Sequence, residues 1–280
     1  MEFRTPQGQE RYDALLAAAP HVLVGLDFDG TLSPIVDDPA RAVIHPDGPR
    51  VLAALASRVR AVVVVTGRPA RQVVELGDLD RLADSLPAGA RLEVMGQYGN
   101  ERWDAVSREF TSPEPPAGLQ AFRDELPGLL ARENADGAYV EEKGLAVAVH
   151  TRRLQDPGAA FARLEEALAD AAERHGLSLE PGRMALEVRA PGMHKGAAVR
   201  TLTEELGARA FVFCGDDLGD LEAFKAVEEL RGNDFAGLLV CSGSEEQGAL
   251  VELADMVVDG PGGVLEVLRE LTEDIRAVRA

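Results

Sequence analysis

Four short apolar runs, each followed by a helical pattern, constrain the fold of this chain of 280 residues most strongly. The runs are VLVGLDFD, AVVVVTG, FVFCGDD and GLLVCSG. Strands that are buried on both faces read as continuous apolar runs, and their alternation with helices indicates a parallel sheet covered on both sides. The sequence therefore predicts an α/β fold whose core is a Rossmann-like parallel sheet.

A middle region of different character separates the second of these runs from the third. It contains a helical run LQAFRDELPGLLARE and two alternating strands, AYVEEK and LAVAVHTR, which turn at Gly144. A second helix, PGAAFARLEEALADAAERHG, and a strand, RMALEVRA, follow. Because hairpin, helix and strand together form a module of their own, we predict an inserted α+β domain of residues 104–190 in a core of residues 1–103 and 191–280.

Charge, cysteine positions and hydropathy indicate which partners, cross-links and location to expect. Acidic residues outnumber basic ones 48 to 29, and the resulting charge of −19 disfavours binding to nucleic acid or to an anionic membrane. Cys214 and Cys241 lie inside apolar runs, which indicates buried strand cysteines and not a disulfide framework. With no apolar stretch of about 20 residues and no signal-peptide core, we expect a cytoplasmic protein, and we expect it to be a monomer.

Two carboxylates end the first run, in the segment DFDGT. Side chains at positions i and i+2 of a strand point the same way, so Asp27 and Asp29 converge. At an effective dielectric near 20 they repel by roughly 4 kcal/mol, so the pair needs a shared proton or a cation such as Mg²⁺. A nucleophilic carboxylate beside a second acid suits phosphoryl transfer, with Asp27 as nucleophile and Asp29 as general acid/base. The Gly30 amide and the Thr31 hydroxyl are expected to contact the phosphate.

Further polar groups follow the later strands, where ligands of such sheets bind. Thr66 and Gly67 end the second run and offer a hydroxyl and an amide to a phosphate oxygen. Arg68 is expected to join them in substrate binding and, with Pro69, to begin the next helix, capped by Thr66 or Gly67. Lys195 begins a helix in APGMHKGAAVRTL, where an ammonium would hold the nucleophile ionised.

Three acids follow the third run, in FVFCGDDLGDLEAF. Asp216 and Asp217 stand at the end of the strand, and Asp220 lies in the turn that enters the next helix. Carboxylate oxygens are ligands that suit Mg²⁺, which keeps several waters and needs only one or two carboxylates. Helix capping is the alternative explanation for Asp217 or for Asp220 taken alone.

Taken in order, DFDGT, VTGR, HKG and GDDLGD resemble the four motifs of the haloacid-dehalogenase-like phosphatase superfamily. The resemblance implies that Asp27 attacks the phosphoryl group and that Asp29 protonates the leaving oxygen and later activates water. It implies that Thr66 and Lys195 hold the phosphate. It also implies a Mg²⁺ site whose residues are Asp27, Asp29 through its main-chain carbonyl, and Asp216, supported by Asp217 and Asp220.

The insert narrows the resemblance to one group. It lies between the second and third motifs, where the caps of sugar-phosphate phosphatases are found, and its details most resemble the trehalose-6-phosphate phosphatase family. The resemblance is carried by MGQYGNE, by YVEEKGLAVAVHTRR and by ALEVRAPGMHKG. It implies a small-molecule sugar phosphate as substrate, a functional link to a trehalose-phosphate synthase, and a set of substrate-binding residues: Asn100, Glu101, Glu141, Lys143, His150, Arg152 and Glu187.

Several alternatives stay open at this point. The substrate could be another sugar phosphate, such as sucrose phosphate or mannosyl-phosphoglycerate, or the enzyme could be a phosphomutase. A noncatalytic sugar-phosphate sensor is a third class, but it would have no need of the Asp27 and Asp29 pair. In the insert, the EEK segment could be a solvated edge, and Glu187 could pair with Arg189 or Arg183.

Overall fold

The computed structural model describes residues 1–36, 38–182, 184–232, 235–243 and 248–278. The chain divides into a larger unit, Met1–Ser112 with His194–Ala280, and an insert, Pro113–Met193. The first boundary lies later than the predicted residue 104, because two short strands after Gly99 still pair with the sheet of the larger unit. The second lies at Met193, three residues after the predicted 190. Arg183, which the sequence offered as a partner for Glu187, lies outside the described residues.

Strands and helices alternate along most of the chain. The strands are β1 (Val22–Leu26), β2 (Ala61–Val65), β3 (Leu92–Gly96), β4 (Glu101–Asp104), β5 (Phe110–Thr111), β6 (Tyr139–Glu142), β7 (Ala146–His150), β8 (Ser178–Gly182), β9 (Ala185–Arg189), β10 (Ala210–Gly215), β11 (Ala236–Ser242) and β12 (Met256–Val258). The helices are α1 (Pro6–Ala17), α2 (Gly48–Ala56), α3 (Ala70–Leu76), α4 (Leu79–Asp84), α5 (Leu119–Arg132), α6 (Pro157–Arg174), α7 (Lys195–Leu206), α8 (Leu221–Leu230), α9 (Gly248–Leu253) and α10 (Gly260–Val278). Among the residues described, no helix combines the length and the apolar character needed to cross a membrane.

The larger unit is built on an eight-stranded sheet with the order β12-β11-β10-β1-β2-β3-β4-β5. The strands from β12 to β3 pair in parallel, and β4 and β5 are antiparallel. The four apolar runs form the neighbouring strands β11, β10, β1 and β2, so the α/β prediction is confirmed, as is the burial of both cysteines. Leu23 and Val24 point into apolar clusters on opposite faces of the sheet, which explains why β1 is apolar throughout.

The buried carboxylate of Asp255 ties the N-terminal helix to this sheet. Its two oxygens accept hydrogen bonds from the guanidinium groups of Arg11 in α1 and Arg231 after α8, and Oδ2 also accepts from the Leu239 amide of β11 at 2.9 Å. The main-chain carbonyl of Asp255 accepts from the Arg4 amide at 2.9 Å. Two arginines and two backbone amides therefore converge on one residue.

The insert has its own antiparallel sheet with the order β6-β7-β9-β8. The predicted hairpin, both helices and the strand after them are present as β6, β7, α5, α6 and β9. The prediction omitted β8, because its sequence SLEPG is polar and contains proline, which is tolerated only at a sheet edge. Val147, Val149 and Leu186 lie in one apolar cluster with residues of α5 and α6, so the opposite face of the sheet holds the polar side chains.

We predict that Asp255→Ala lowers the free energy of unfolding by about 3 kcal/mol, because it leaves two guanidinium groups around an empty, dry position. Glu10→Ala, which removes an exposed acid from the same helix, is the matched control and should change it by less than about 0.5 kcal/mol. Urea denaturation of both variants measures the difference. Equal stability of the two variants would show that Asp255 does not anchor α1.

Candidate active site

The carboxyl ends of three neighbouring strands place the predicted catalytic groups at one edge of the larger sheet. Asp27, Thr66 and Asp216 directly follow β1, β2 and β10, and all three are buried. Lys195 is the first residue of α7, as the sequence predicted. Carboxylate oxygens of Asp27, Asp216 and Asp220 lie within 4.8 Å of one another. The structure therefore gathers acids from the first and fourth motifs into one cluster.

Lys195 bridges two of these carboxylates. Its Nζ donates to Oδ1 of Asp27 at 2.5 Å and to Oδ1 of Asp220 at 2.7 Å. The side chains of all three residues are at most 6% exposed. An ammonium group in this position pairs with the predicted nucleophile and holds it in a fixed orientation.

Asp220 and Asp217 have different surroundings. The second oxygen of Asp220 accepts from the amides of Asp216 at 3.0 Å and Asp217 at 3.3 Å, so both of its oxygens are engaged. The Asp217 side chain is exposed, and it caps the following turn by accepting from the Gly219 amide at 2.8 Å. Asp220 therefore supports Lys195 and the loop after β10, and the capping interpretation fits Asp217.

Burial dominates the electrostatics of the cluster. It raises the pKa of Asp27 well above the usual range of a carboxyl group; Lys195 opposes this shift, and the Asp220 and Asp216 carboxylates reinforce it. Burial, with Asp217 and Asp220, raises the pKa of Asp216 to about 8. Burial also lowers the pKa of Lys195, but the Asp220 and Asp27 carboxylates outweigh it, and the net shift is upward. Three buried carboxylates and one ammonium leave an excess of two negative charges when all are ionised.

The donor atoms at this edge fit a divalent cation and an anionic ligand. The excess of two negative charges matches the charge of Mg²⁺, and all the clustered donors are carboxylate oxygens, which hard cations prefer. In the first motif, Oγ1 of Thr31 is buried and has no hydrogen-bond partner in the part of the chain that the structure describes. A buried hydroxyl without a partner is costly unless a ligand satisfies it.

The turn at Gly30 brings the first motif against the fourth. Gly30 has a left-handed φ of +71°, and a Cβ atom there would lie 2.1 Å from Oδ2 of Asp216. Its carbonyl accepts from the Ser242 hydroxyl, at the end of β11, at 2.6 Å. Sequence reasoning missed Ser242, although it ends the fourth apolar run and so lies at the same edge. Only glycine permits both this backbone conformation and this close approach.

Asp29 forms a two-pronged ion pair with Arg68. Nε of Arg68 donates to Oδ2 of Asp29 at 2.6 Å, and its second terminal nitrogen donates to Oδ1 at 2.7 Å. The other terminal nitrogen donates to the Pro39 carbonyl at 3.0 Å. Arg68, which the sequence predicts to bind substrate, therefore lies with its guanidinium on the predicted acid/base.

The predicted cap of the helix after the second motif is wrong. The helix α3 begins at Ala70, and the residue before it is Pro69, not Thr66 or Gly67. The carboxylate of Glu101 accepts from the Ala70 amide at 2.7 Å and so caps the helix from a distant segment. Burial raises the pKa of Glu101, and this hydrogen bond opposes the shift. The Asn100 side chain likewise bonds to backbone, donating to the Gln97 carbonyl at 2.9 Å.

The predicted residues of the insert share the polar face of its sheet. Glu141 pairs with Ala148, which pairs with Glu187, so the two acids flank a small residue in register across β6, β7 and β9. Lys143 lies two residues after Glu141, and His150 lies two residues after Ala148, so both side chains are on this same face. Arg152 lies in the exposed turn after β7.

The charged groups on this face are paired with one another. Glu187 accepts from Nζ of Lys143 at 2.6 Å and from Arg189 at 3.1 Å, which is the pairing that the sequence offered as an alternative. Nε2 of His150 lies 2.9 Å from Oε2 of Glu141. Glu187 and Arg189 are buried, whereas Glu141 and Lys143 are partly buried and Glu142 is exposed on the edge strand β6. The solvated-edge interpretation therefore fits Glu142, and Glu141 and Lys143 belong to the ion pairs of the polar face.

We predict that Asp220→Asn lowers kcat for p-nitrophenyl phosphate by roughly a hundredfold, because an amide nitrogen would face either the Lys195 ammonium or two backbone amides. Asp217→Asn, the matched control, keeps an oxygen that can accept from the Gly219 amide and should change stability by less than about 0.5 kcal/mol, with kcat nearly unchanged. Steady-state kinetics with thermal melting separates the two effects. A larger loss of kcat in Asp217→Asn than in Asp220→Asn would reverse this assignment.

Comparison with known proteins places this site in a family. The model of the family described as trehalose-phosphatase matches residues 25–102 and 130–255, which include the four motifs and most of the insert. The chain is 29% identical to trehalose-phosphate phosphatase B of Arabidopsis thaliana, over 96% of this chain and 72% of that protein.

Solved structures share the fold. The C-terminal domain of the C. albicans trehalose-6-phosphate phosphatase superposes with a TM-score of 0.76 at 20% identity, covering 97% of this chain and 98% of that one. A haloacid dehalogenase-like hydrolase from Bacteroides thetaiotaomicron superposes with a TM-score of 0.66 at 16% identity, over 90% and 99% of the two chains. The motifs at the sheet edge and the match of the family model agree, and this chain belongs to the trehalose-phosphatase family.

Proposed function

We propose that this phosphatase hydrolyses trehalose 6-phosphate to trehalose and inorganic phosphate through a covalent phosphate ester on Asp27. The observation that carries the proposal is the ion pair between Lys195 and Asp27. A carboxylate attacks phosphorus only when it is ionised, and the buried ammonium favours that form against the effect of burial. The acid that the reaction also needs, Asp29, stands two residues further along the chain, where it bonds to Arg68.

In the first step an Asp27 oxygen forms a bond to phosphorus while the bond from phosphorus to the sugar oxygen breaks. Asp29 donates its proton to that leaving oxygen, which completes the free sugar. In the second step Asp29, now a carboxylate, takes a proton from water, and the water oxygen forms a bond to phosphorus while the bond from phosphorus to the Asp27 oxygen breaks. Inorganic phosphate leaves, and Asp27 and protonated Asp29 are restored. Arg68 has to yield an oxygen of Asp29 before that oxygen carries a proton.

The phosphate is held by groups of the second and third motifs in this proposal. The Thr66 hydroxyl, the Gly67 amide and Lys195 bind its oxygens, and the Thr31 hydroxyl and the Gly30 amide do so from the first motif. Thr31 is the residue for which the structure offers the strongest support, since its buried hydroxyl has no partner among the described residues.

Mg²⁺ is the proposed cofactor, held by the carboxylates of Asp27 and Asp216 and by the main-chain carbonyl of Asp29. When bound, the ion neutralises charge on the transferring phosphoryl group. Asp220 contributes by fixing Lys195, since both of its oxygens already accept hydrogen bonds. Asp217 acts through the turn that it caps.

The sugar is recognised in this proposal by the polar face of the insert. Carboxylates accept hydrogen bonds from neutral sugar hydroxyls, and Lys143 can donate to them. Glu141 and Glu187 flank Ala148, whose small side chain leaves room for a sugar ring between two acceptors. His150 orients Glu141, and Arg152 adds a donor from the following turn. Asn100 and Glu101 contribute through the backbone that they hold. A monomeric state, a link to a trehalose-phosphate synthase and a cytoplasmic location stay predictions from the sequence.

Adjacent glutamates of β6 allow a matched test, because they point to opposite faces of the sheet. Glu141 lies on the polar face, whereas the exposed Glu142 pairs with Arg123 of α5. We predict that Glu141→Gln raises KM for trehalose 6-phosphate by roughly tenfold, the effect of weakening hydrogen bonds to a charged acceptor. Glu142→Gln should leave it unchanged, and neither variant should alter p-nitrophenyl phosphate hydrolysis. Phosphate release with Mg²⁺ is measured for both substrates, and for sucrose 6-phosphate and glucose 6-phosphate.

Three outcomes would contradict this proposal. Equal kcat/KM for the three sugar phosphates would remove the claim for trehalose. Equal effects of the two glutamate substitutions would remove the polar face from substrate recognition. Turnover that needs a sugar bisphosphate and releases no net phosphate would identify a phosphomutase.

A further inference from the structure

A strained segment lies beside the second motif. Gln97 and Tyr98 follow β3 and have left-handed backbone angles, with φ of +48° and +59°. Non-glycine residues adopt this conformation at a cost, and such strain persists only where the surrounding structure imposes it. Gln97 is fully buried, and Gly96 and Gly99 stand on either side of the pair. The strain is therefore held in place by packing within the larger unit.

The two strained residues direct their amides at the turn that carries Thr66. The Gln97 amide donates to the Arg68 carbonyl at 2.9 Å, and the Tyr98 amide donates to the Thr66 carbonyl at 2.8 Å. The two acceptors belong to the residues on either side of Gly67. The φ and ψ angles of Gln97 set the direction of the Tyr98 amide relative to the Gln97 amide, so the left-handed conformation of Gln97 lets both amides donate to the same turn.

The Tyr98 ring packs against the same turn. A Cβ atom at Gly67 would lie 2.7 Å from both Cζ and the hydroxyl oxygen of Tyr98, closer than real contacts allow. Gly67 has no left-handed φ, so a larger residue there would have to displace the phenol of Tyr98 but would not strain the backbone. One residue thus fixes the turn twice, through its amide and through its ring.

The segment also contacts the helix that carries the catalytic lysine. A Cβ atom at Gly99 would lie 2.8 Å from Cβ of Ala198, one turn after Lys195 in α7. Beyond it, the Glu101 carboxylate caps α3 at Ala70. Gly96–Glu101 therefore touches both the turn with the Thr66 hydroxyl and the helix with the Lys195 ammonium.

We propose that Tyr98 is a positioning residue for phosphoryl transfer, which sets the spacing between the Thr66–Gly67–Arg68 turn and the N-terminus of α7. Groups on these two elements have to meet the same phosphate, and a displacement of about 1 Å in such a site costs up to roughly a hundredfold in rate. The inference rests on the proposed phosphatase reaction, but it does not depend on which sugar the substrate carries. The strain is then the cost of holding this geometry before substrate arrives.

Two substitutions at Tyr98 separate the ring from its hydroxyl. Tyr98→Asn removes the ring but keeps a residue that tolerates the left-handed conformation, whereas Tyr98→Phe keeps the ring. We expect Tyr98→Asn to lose roughly tenfold to a hundredfold in kcat/KM for p-nitrophenyl phosphate and to be inhibited less by inorganic phosphate. Tyr98→Phe should stay within about threefold of the native enzyme. Asp78→Gly, at another left-handed position with φ of +47°, is the control for strain relief and should leave kinetics unchanged.

A reciprocal substitution tests the contact itself. Gly67→Ala introduces the Cβ atom that would collide with the phenol, so we expect it to weaken inhibition by inorganic phosphate. Because both changes disturb one contact, the losses in Gly67→Ala with Tyr98→Asn should not multiply. If Tyr98→Asn does not fold, as judged by thermal melting, Gly67→Ala alone carries the test.

Unchanged phosphate inhibition in Tyr98→Asn, or in Gly67→Ala where the first variant does not fold, would overturn the inference. An equal loss of kcat/KM in Tyr98→Phe would also overturn it, because the effect would then come from the hydroxyl. Losses that multiply in the variant with both Gly67→Ala and Tyr98→Asn would overturn it as well. Native activity toward trehalose 6-phosphate is measured in parallel. Its absence would contradict the proposed substrate and leave the Tyr98 comparison with p-nitrophenyl phosphate still decisive.

Discussion

The ion pair of Lys195 with Asp27 and Asp220 is the interaction on which the rest of the site depends. Three ionised carboxylates whose oxygens lie within 4.8 Å of one another need a compensating cation, and the ammonium of Lys195 contacts two of them. It joins the first, third and fourth motifs. Lys195 opposes the rise that burial causes in the pKa of Asp27, so removing it would disfavour the ionised form that attacks phosphorus.

The parallel sheet makes this arrangement possible. Strands β1 and β10 are neighbours, so the residues that follow them meet at one edge although they lie far apart in the sequence. Close contacts then fix the turns relative to one another. The Asp216 carboxylate packs against Gly30, and the Ser242 hydroxyl donates to the Gly30 carbonyl. The Tyr98 amide donates to the turn after β2. The apolar strands thus provide the framework, and a few close contacts set the distances that the chemistry needs.

Much of this could be predicted from the sequence, because strand ends and motif order are local patterns. The apolar runs, the start of α7 and the acids after β10 needed no knowledge of tertiary contacts. The pairing of Arg68 with Asp29, 39 residues apart, and that of Ser242 with Gly30, 212 residues apart, could not be predicted, since no local pattern encodes them. The capping role of Glu101 was missed for the same reason, and the polar strand β8 had no apolar signal. Within the insert, Glu141 and Glu187 lie on one face of the sheet on either side of Ala148. This arrangement follows from the strand register, which the sequence does not show.

The most direct test of the central claim is to trap the phosphorylated enzyme. Native protein and Asp29→Asn are mixed with trehalose 6-phosphate carrying ³²P, quenched in acid within milliseconds to seconds, digested and analysed by peptide mapping. We predict label on the peptide that contains Asp27, and more of it in Asp29→Asn, because the step that removes the phosphate lacks its base. Full turnover without label on that peptide, or label on another residue, would contradict the account.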